Sequence, residues 1–249
     1  MRIIHFETIG STQDYVKGLA QEQDFGPLWV RADSQNSGRG RRGRTWVSKK
    51  GNLYASGLYP WTGPEAQKPL ISFVVAVALA ETLESYIAPD LIALKWPNDV
   101  LVDGAKIAGI LLEAGQGWIT IGVGLNLEHH PSDTPYPVTH LLAHIAADKL
   151  DDAEPIYAGP DPILAELAQN ITACITTLAN EGFAPIREKW LSRAARLGEN
   201  LTVNLGKETI EGTFETLSEN GALQLRLANG TLREIVAGDV LLSAFPNQQ

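Results

Sequence analysis

Residues Gly38-Arg-Gly-Arg-Arg-Gly-Arg-Thr-Trp46 put four arginines and three glycines into one short run. Between Arg31 and Lys50, seven basic residues (Arg31, Arg39, Arg41, Arg42, Arg44, Lys49, Lys50) stand against one acid, Asp33. That window carries +6 in a chain of net charge −9, so the remainder carries −15. Positive charge packed this densely repels itself until an anion neutralises it. Glycine lets backbone N–H groups close on such an anion, and the arginine fork matches phosphate or carboxylate bidentately. The run reads as an anion-binding active-site loop, mobile when empty. Two plainer readings stand beside it, a solubilising surface loop and an RNA-binding Arg/Gly element. The latter usually recurs in disordered tails; this run occurs once, between two strand-like segments.

Lys106 is a second candidate. Strict alternation over 105–114 places it on one face with Ala108, Ile110 and Leu112, where a lysine could simply snorkel from the strand end. Gly109, Gly122 and Gly124 lie in neighbouring β runs, and glycine weakens a strand unless a ligand or another part of the chain approaches closely. Lys95-Trp-Pro-Asn-Asp99 is turn chemistry when taken alone.

The elements that must hold these residues follow from pattern. Arg2–Phe6 and Leu28–Ala32 read as strands, and Ser11-Thr-Gln-Asp14 as a helix start with Ser11 as cap. Asn52–Tyr59 resumes strand character. Pro69 opens an apolar helix to about Ile87. Ile92–Leu94 is a brief strand, Asp103-Gly104 a hairpin turn, Gly115-Gln-Gly117 another, and Trp118–Leu127 a further strand. Residues 129–160 are proline-rich, with a short helix near 141–147. A longer helix starts at Asp161 as cap with Pro162 behind it, shows Ile163, Leu164, Leu167, Ile171, Ile175 and Leu178 on one face, and stops at Gly182. Beyond Gly198, short β runs broken by Asn220-Gly221 and Asn229-Gly230 suggest a small antiparallel barrel. The fold expected is α/β (α+β): a central mixed or antiparallel sheet with flanking helices over 1–190, then a small C-terminal β-barrel over 195–249.

Composition narrows the function. A single cysteine, Cys174, leaves no internal disulfide and suits a reducing cytoplasm. The start shows no signal-peptide layout, and no apolar run is read as reaching the roughly 18–20 residues of a membrane span; 70–83 reads as a buried helix. The five scattered histidines, without cysteines or carboxylates at ligand spacing, argue against structural zinc. The acidic balance argues against general nucleic-acid binding.

Taken together, Gln35 with Gly38–Trp46, Lys95-Trp-Pro-Asn-Asp99, Lys106-Ile-Ala-Gly-Ile-Leu-Leu-Glu113, Gly122-Val-Gly-Leu-Asn126 and the early Ser11-Thr12 resemble the biotin protein ligases in order and spacing. The resemblance covers the whole chain. It implies the form without an N-terminal DNA-binding domain, hence no DNA partner and no membrane. Three departures stand out: Gln13 where asparagine is common, Asn36 where threonine is common, and no arginine beside Gly238-Asp239.

The resemblance implies ATP-dependent formation of biotinyl-5'-AMP, then transfer of biotin to a lysine of the biotin carboxyl carrier protein of acetyl-CoA carboxylase. It implies Lys106 and Arg41 as catalytic residues. Ser11, Thr12, Gln35, Gly38, Arg39, Arg41, Lys106, Gly109, Leu111 and Gly122 would hold biotin. Arg41, Arg42, Arg44, Trp46, Lys95, Asn98, Asp99 and Asn126 would hold the nucleotide, with Asp99 also reaching Mg²⁺. Residues 36–46 would order on ligand binding, at a cost of roughly 1–2 kcal/mol per residue. A cytoplasmic monomer or homodimer is expected. The rival readings are a lipoate–protein ligase on the same architecture and a non-catalytic RNA-binding module.

Overall fold

The computed structural model describes residues 2–145 and 157–241. Seven strands form the main sheet: β1 (Arg2–Ile9), β2 (Leu28–Gln35), β3 (Leu53–Pro60), β4 (Ile92–Lys95), β5 (Asp99–Val102), β6 (Ala105–Gly115) and β7 (Trp118–Leu125). Their spatial order is β1-β2-β3-β7-β6-β5-β4. Only β1 and β2 run parallel, joined through helix α1 (Thr12–Gln21); every other pair is antiparallel. The expected mixed sheet with flanking helices is present.

Strand β2 is buried on both faces, and its apolar residues divide by parity. Leu28 and Val30 join Val16, Ala20 and Leu58 beneath α1, whereas Trp29 faces the larger core. That core forms around helix α2 (Ile71–Leu83), which is buried almost all round and packs on α3 (Pro160–Glu181) and α4 (Ala184–Leu191). By length and composition Glu65–Leu83 could cross a membrane, but 72% of that window is buried inside the protein. Helix α3 begins two residues earlier than read from sequence: Gly159 is the cap and Pro160 the first helical residue. Gly182 ends it at φ 78°. The short helix near 141–147 is a 3-10 turn at Leu141–Ala143, and its last two positions lie outside the described residues. Helix α4 has no counterpart in the sequence reading.

The C-terminal unit holds β8 (Asn200–Asn204), β9 (Thr209–Leu217), β10 (Leu223–Arg226), β11 (Leu232–Ile235) and β12 (Asp239–Leu241). They form an antiparallel sheet in the order β11-β10-β9-β8-β12, and among the described residues its two edge strands do not pair. At both Asn-Gly turns only the glycine has positive φ, 76° at Gly221 and 81° at Gly230. A two-residue type I′ turn needs positive φ at both positions, so these are longer turns that close on a left-handed glycine. Asp103 (49°) and Gly104 (72°) do have positive φ together, as the tight β5–β6 hairpin requires. The C-terminal sheet is tied to the main unit by Trp96, whose Nε1 donates to Gly221 O (3.1 Å), and by Arg187, whose Nε donates to Leu217 O (2.7 Å).

Candidate active site

Lys106 stands at the start of β6, and a bulge decides where it points. Val100 pairs with Ala108, but Leu101 pairs with Lys106, so Ile107 is an extra residue on β6. The expected face shared with Ala108 and Ile110 is therefore wrong. One inserted residue reverses the alternation, which sends Ile107, Ala108 and Ile110 into the core and brings Lys106 beside Gly109. The Lys106 ammonium lies 2.6 Å from Asp99 Oδ1, while Lys95 Nζ lies 2.9 Å from Oδ2. Burial pushes the Asp99 carboxyl up, and the two ammonium groups more than offset it, holding it below the usual carboxylate range.

Asp99 closes the three-residue turn that begins after Lys95, the two residues pairing across β4 and β5. Within that turn Asn98 donates through Nδ2 to Ile110 O (2.7 Å) and accepts from Arg41 Nη1 at 3.0 Å. Asn98 thus aims the arginine that the resemblance makes catalytic.

The glycine–arginine loop, expected to be mobile from self-repulsion, has internal partners for its charges. Arg39 pairs with Asp14 and with Glu113 at 3.2 Å. Arg42 lies 3.1 Å and Arg41 3.7 Å from Asp239, which also pairs with Arg44. Burial lowers the Arg41 pKa, opposed mainly by Asp239. Arg31 is committed elsewhere, to Asp33 (2.8 Å) and Asp161 (2.6 Å).

The glycines admit side chains of the chain itself. Gly109 and Gly124 face each other across β6 and β7, and the Trp46 indole rests on them. A Cβ on Gly124 would sit 2.4 Å from Trp46 Cε2, and one on Gly109 would sit 3.0 Å from Cζ3. Gly122, opposite Leu111, makes room for Gln13: a Cβ there would lie 2.8 Å from Gln13 Oε1. Gln13 donates to Thr120 Oγ1 at 2.7 Å, yet its own Oε1 is buried and has no partner among the described residues. The indole Nε1 of Trp46 is likewise buried and unpaired there.

Next to Gln13, Gln35 Oε1 accepts from the Thr12 backbone N (2.8 Å) and hydroxyl (3.1 Å), and Gln35 Nε2 donates to Ser48 Oγ (2.9 Å). Thr12 also meets Ser56 at 2.9 Å. Ser11 caps α1 by accepting from Asp14 N.

These groups surround one cavity of about 510 Å³. Ser11, Thr12, Gln35, Arg39, Arg41, Arg44, Trp46, Lys95, Asn98, Asp99, Lys106, Gly109, Leu111 and Gly122 all line it, as the sequence reading brought them together. Three predicted residues do not. Gly38 packs against Trp46 O and Ser48 Oγ, where a Cβ would not fit. Arg42, at φ 56°, turns to Asp239. Asn126 is buried and ties Thr139 O at 2.9 Å. The wall also contains Gly124, one of the three out-of-place strand glycines of the sequence, and Gln13, Tyr136 and Asp239, to which the sequence gives no ligand. Gln13 was noticed only as a departure from the family pattern, and nothing local marks Tyr136 or Asp239. Asp99 does not fit a resident magnesium ion, because both its oxygens already meet ammonium groups. Among the described residues no cluster of three or more metal-ligating side chains occurs.

Residues 5–126 match the model of the biotin/lipoate A/B protein ligase family, and residues 197–243 match the biotin protein ligase C-terminal domain. A biotin--[acetyl-CoA-carboxylase] ligase from Paracoccus denitrificans is 38% identical over 215 residues, covering 81% of this chain and 85% of the relative. A variant biotin protein ligase from Aquifex aeolicus solved with biotin superposes at a TM-score of 0.80, with 26% identity, 98% of this chain and 99% of that one covered. The Aquifex enzyme solved with biotin and ATP gives 0.76 at 26% identity, over 96% and 97% of the two chains. Matched at this identity over most of both chains, with the glycine–arginine loop, Lys106 and the Lys95–Asp99 turn around one cavity, the chain belongs to the biotin protein ligase family.

Proposed function

We infer that the protein condenses biotin with ATP to biotinyl-5'-AMP and pyrophosphate, then transfers the biotinyl group to a lysine of the biotin carboxyl carrier protein of acetyl-CoA carboxylase. The observation that carries this reading is a single cavity lined both by the unpaired acceptor Gln13 Oε1 and by the cationic groups of Lys106, Arg39 and Arg41. A ureido ring has N–H groups to give and a valerate tail has a carboxylate to place.

In the first step a biotin carboxylate oxygen bonds to the α-phosphorus as the bond to the bridging oxygen breaks and pyrophosphate departs. Nucleophile and electrophile are both anionic, so the barrier is largely electrostatic. Lys106 and Arg41 supply fixed cations at the cavity wall, and preorganised groups of this kind contribute several kcal/mol to the transition state. Asn98 holds Arg41 in place. In the second step the deprotonated acceptor amine bonds to the acyl carbon and AMP leaves. The arginine loop shields the mixed anhydride from hydrolysis in between. Any magnesium would belong to the nucleotide substrate, and none of these residues is assigned to it.

Gln13 Oε1 accepts a ureido N–H, with Ser11 and Thr12 beside it and Gln35 holding Thr12. Trp46, with Lys95, Asn98 and Arg44, forms the nucleotide side. Residues 1–190 make up the ligase unit and 195–249 an appended unit that supplies Asp239. The setting is cytoplasmic, where Cys174, buried and pushed up to about 11 by burial and then by Glu81, serves packing.

A lipoate ligase reading fits less well, because a dithiolane ring has no N–H for Gln13 Oε1. Leaving a buried acceptor unpaired costs about 1–3 kcal/mol. The RNA-binding reading is disfavoured by the −15 carried outside the loop window, which repels a phosphate backbone beyond a few contacts. Exchange of labelled pyrophosphate into ATP, with biotin and with lipoate in parallel, tests the inference. Exchange with biotin alone supports it; exchange with lipoate alone replaces the substrate, and exchange with neither removes the reading.

A further inference from the structure

We propose that Tyr136, on the proline-rich segment between His130 and His140, is a positioning residue for the Lys106 ammonium. The proposal rests on Lys106 acting in the reaction inferred above. Lys106 Nζ lies 5.5 Å from the centre of the Tyr136 ring and 5.4 Å from that of Trp46. Both distances are within cation–π range. A ring face attracts an ammonium without neutralising it, whereas Asp99, the third neighbour, is an anion that competes with incoming phosphate.

The segment is built to deliver that ring. Lys106 N donates to Pro137 O and Lys106 O accepts from Thr139 N, each at 2.9 Å, so residue 106 is itself zipped to the strap that carries Tyr136. Pro135 and Pro137 flank the tyrosine, and a following proline keeps Tyr136 out of the helical region. Thr134 Oγ1 donates to Tyr136 O at 2.7 Å. At the neck of the strap His130 Nδ1 and His140 Nδ1 are 2.8 Å apart. Trp46 rides on the glycine–arginine loop, so Tyr136 is the aromatic wall whose place does not depend on that loop. Among the described residues the Tyr136 hydroxyl makes no hydrogen bond, which assigns the work to the ring.

The test compares Tyr136→Phe and Tyr136→Leu, which share a bulky apolar side chain and differ in the ring. Tyr136→Phe is expected to match the parent enzyme. Tyr136→Leu is expected to lower kcat for biotin-dependent pyrophosphate exchange about five- to tenfold with both KM values held within about twofold. Labelling of Lys106 by acetic anhydride, followed by peptide mass spectrometry, reads the same contact without any substrate. There Tyr136→Leu should label several-fold faster than the parent, and Tyr136→Phe at the parent rate. Equal kcat and equal labelling in the two variants would overturn the proposal. A raised KM for ATP at unchanged kcat would also overturn it, making Tyr136 a substrate wall. Absence of exchange in the parent would count against the biotin reading, and the labelling comparison would still decide the contact.

Discussion

Arg42 Nη1 donates to Asp239 Oδ2 across 3.1 Å although 197 residues separate them in the chain. The same carboxylate pairs with Arg44 and lies 3.7 Å from Arg41. A side chain of the C-terminal sheet therefore stands where the loop would otherwise present its charge to phosphate. One carboxylate thus gathers three of the loop's four guanidinium groups.

Asp239→Asn should release them. Phosphate then no longer competes with an internal carboxylate, and the KM for ATP is expected to fall about three- to fivefold, the scale of partly exposed ion pairs. Trypsin should cut the ligand-free variant faster after Arg42 and Arg44, and biotin with ATP should slow the cutting. An unchanged KM in initial-rate exchange would mean that phosphate binds without displacing Asp239.

Removing Lys106 tests the cationic groups. Lys106→Met should reduce biotin-dependent exchange by about a hundredfold or more, by analogy with the loss of a preorganised charge-stabilising donor. Single-turnover adenylate formation is the measurement, since it isolates chemistry from product release.

Asp99→Asn leaves Lys95 and Lys106 facing each other without their shared anion, a loss of about 3 kcal/mol for a buried pair. The sign of the pH effect follows from the lowered carboxyl. A depressed carboxylate stabilises the fold above its ordinary value near 3.9 and loses that contribution as pH falls through its lower folded value. Denaturant midpoints should therefore show a shallower acid-side decline in the variant than in the parent.

Glycine replacements separate the two substrates. Gly124→Ala forces the Trp46 indole away from a 2.4 Å approach and should raise the KM for ATP about tenfold or more with little effect on biotin. Gly122→Ala meets Gln13 Oε1 at 2.8 Å and should act in the opposite sense, on biotin. Steady-state kinetics with each substrate varied in turn gives the split.

Burial, then the imidazoles of His130, His144 and His129, lower the His140 pKa. With a folded value below the unfolded one, the unfolded chain takes the proton first. Stability then falls as pH drops through the ordinary imidazole range near 6.5 and levels off below the folded value. His140→Asn should show a smaller loss of Tm between about pH 7.5 and 5.5 than the parent.

How legible all this was depended on the range of the forces involved. The strands read at Leu28–Ala32 and Trp118–Leu127 (Leu28–Gln35 and Trp118–Leu125 in the structure), the Asp103-Gly104 turn, the cap at Ser11 and the helix stop at Gly182 were readable because each is set by neighbours a few residues away. The glycine–arginine loop and Lys106 were readable as a site because clustered charge and out-of-place glycine cost energy unless something compensates. What compensates was not readable. The bulge at Ile107 that turns Lys106 toward Gly109 depends on pairing with β5. The indole seated on Gly109 and Gly124, the Gln13 acceptor beside Gly122, and the Tyr136 ring over Lys106 join elements far apart in sequence. Residue types and spacing thus picked out most of the residues that come to line one cavity. Only the tertiary structure decided which partners meet those charges, because burial, register and long-range ion pairing exist only once the sheet has closed and the C-terminal unit has docked.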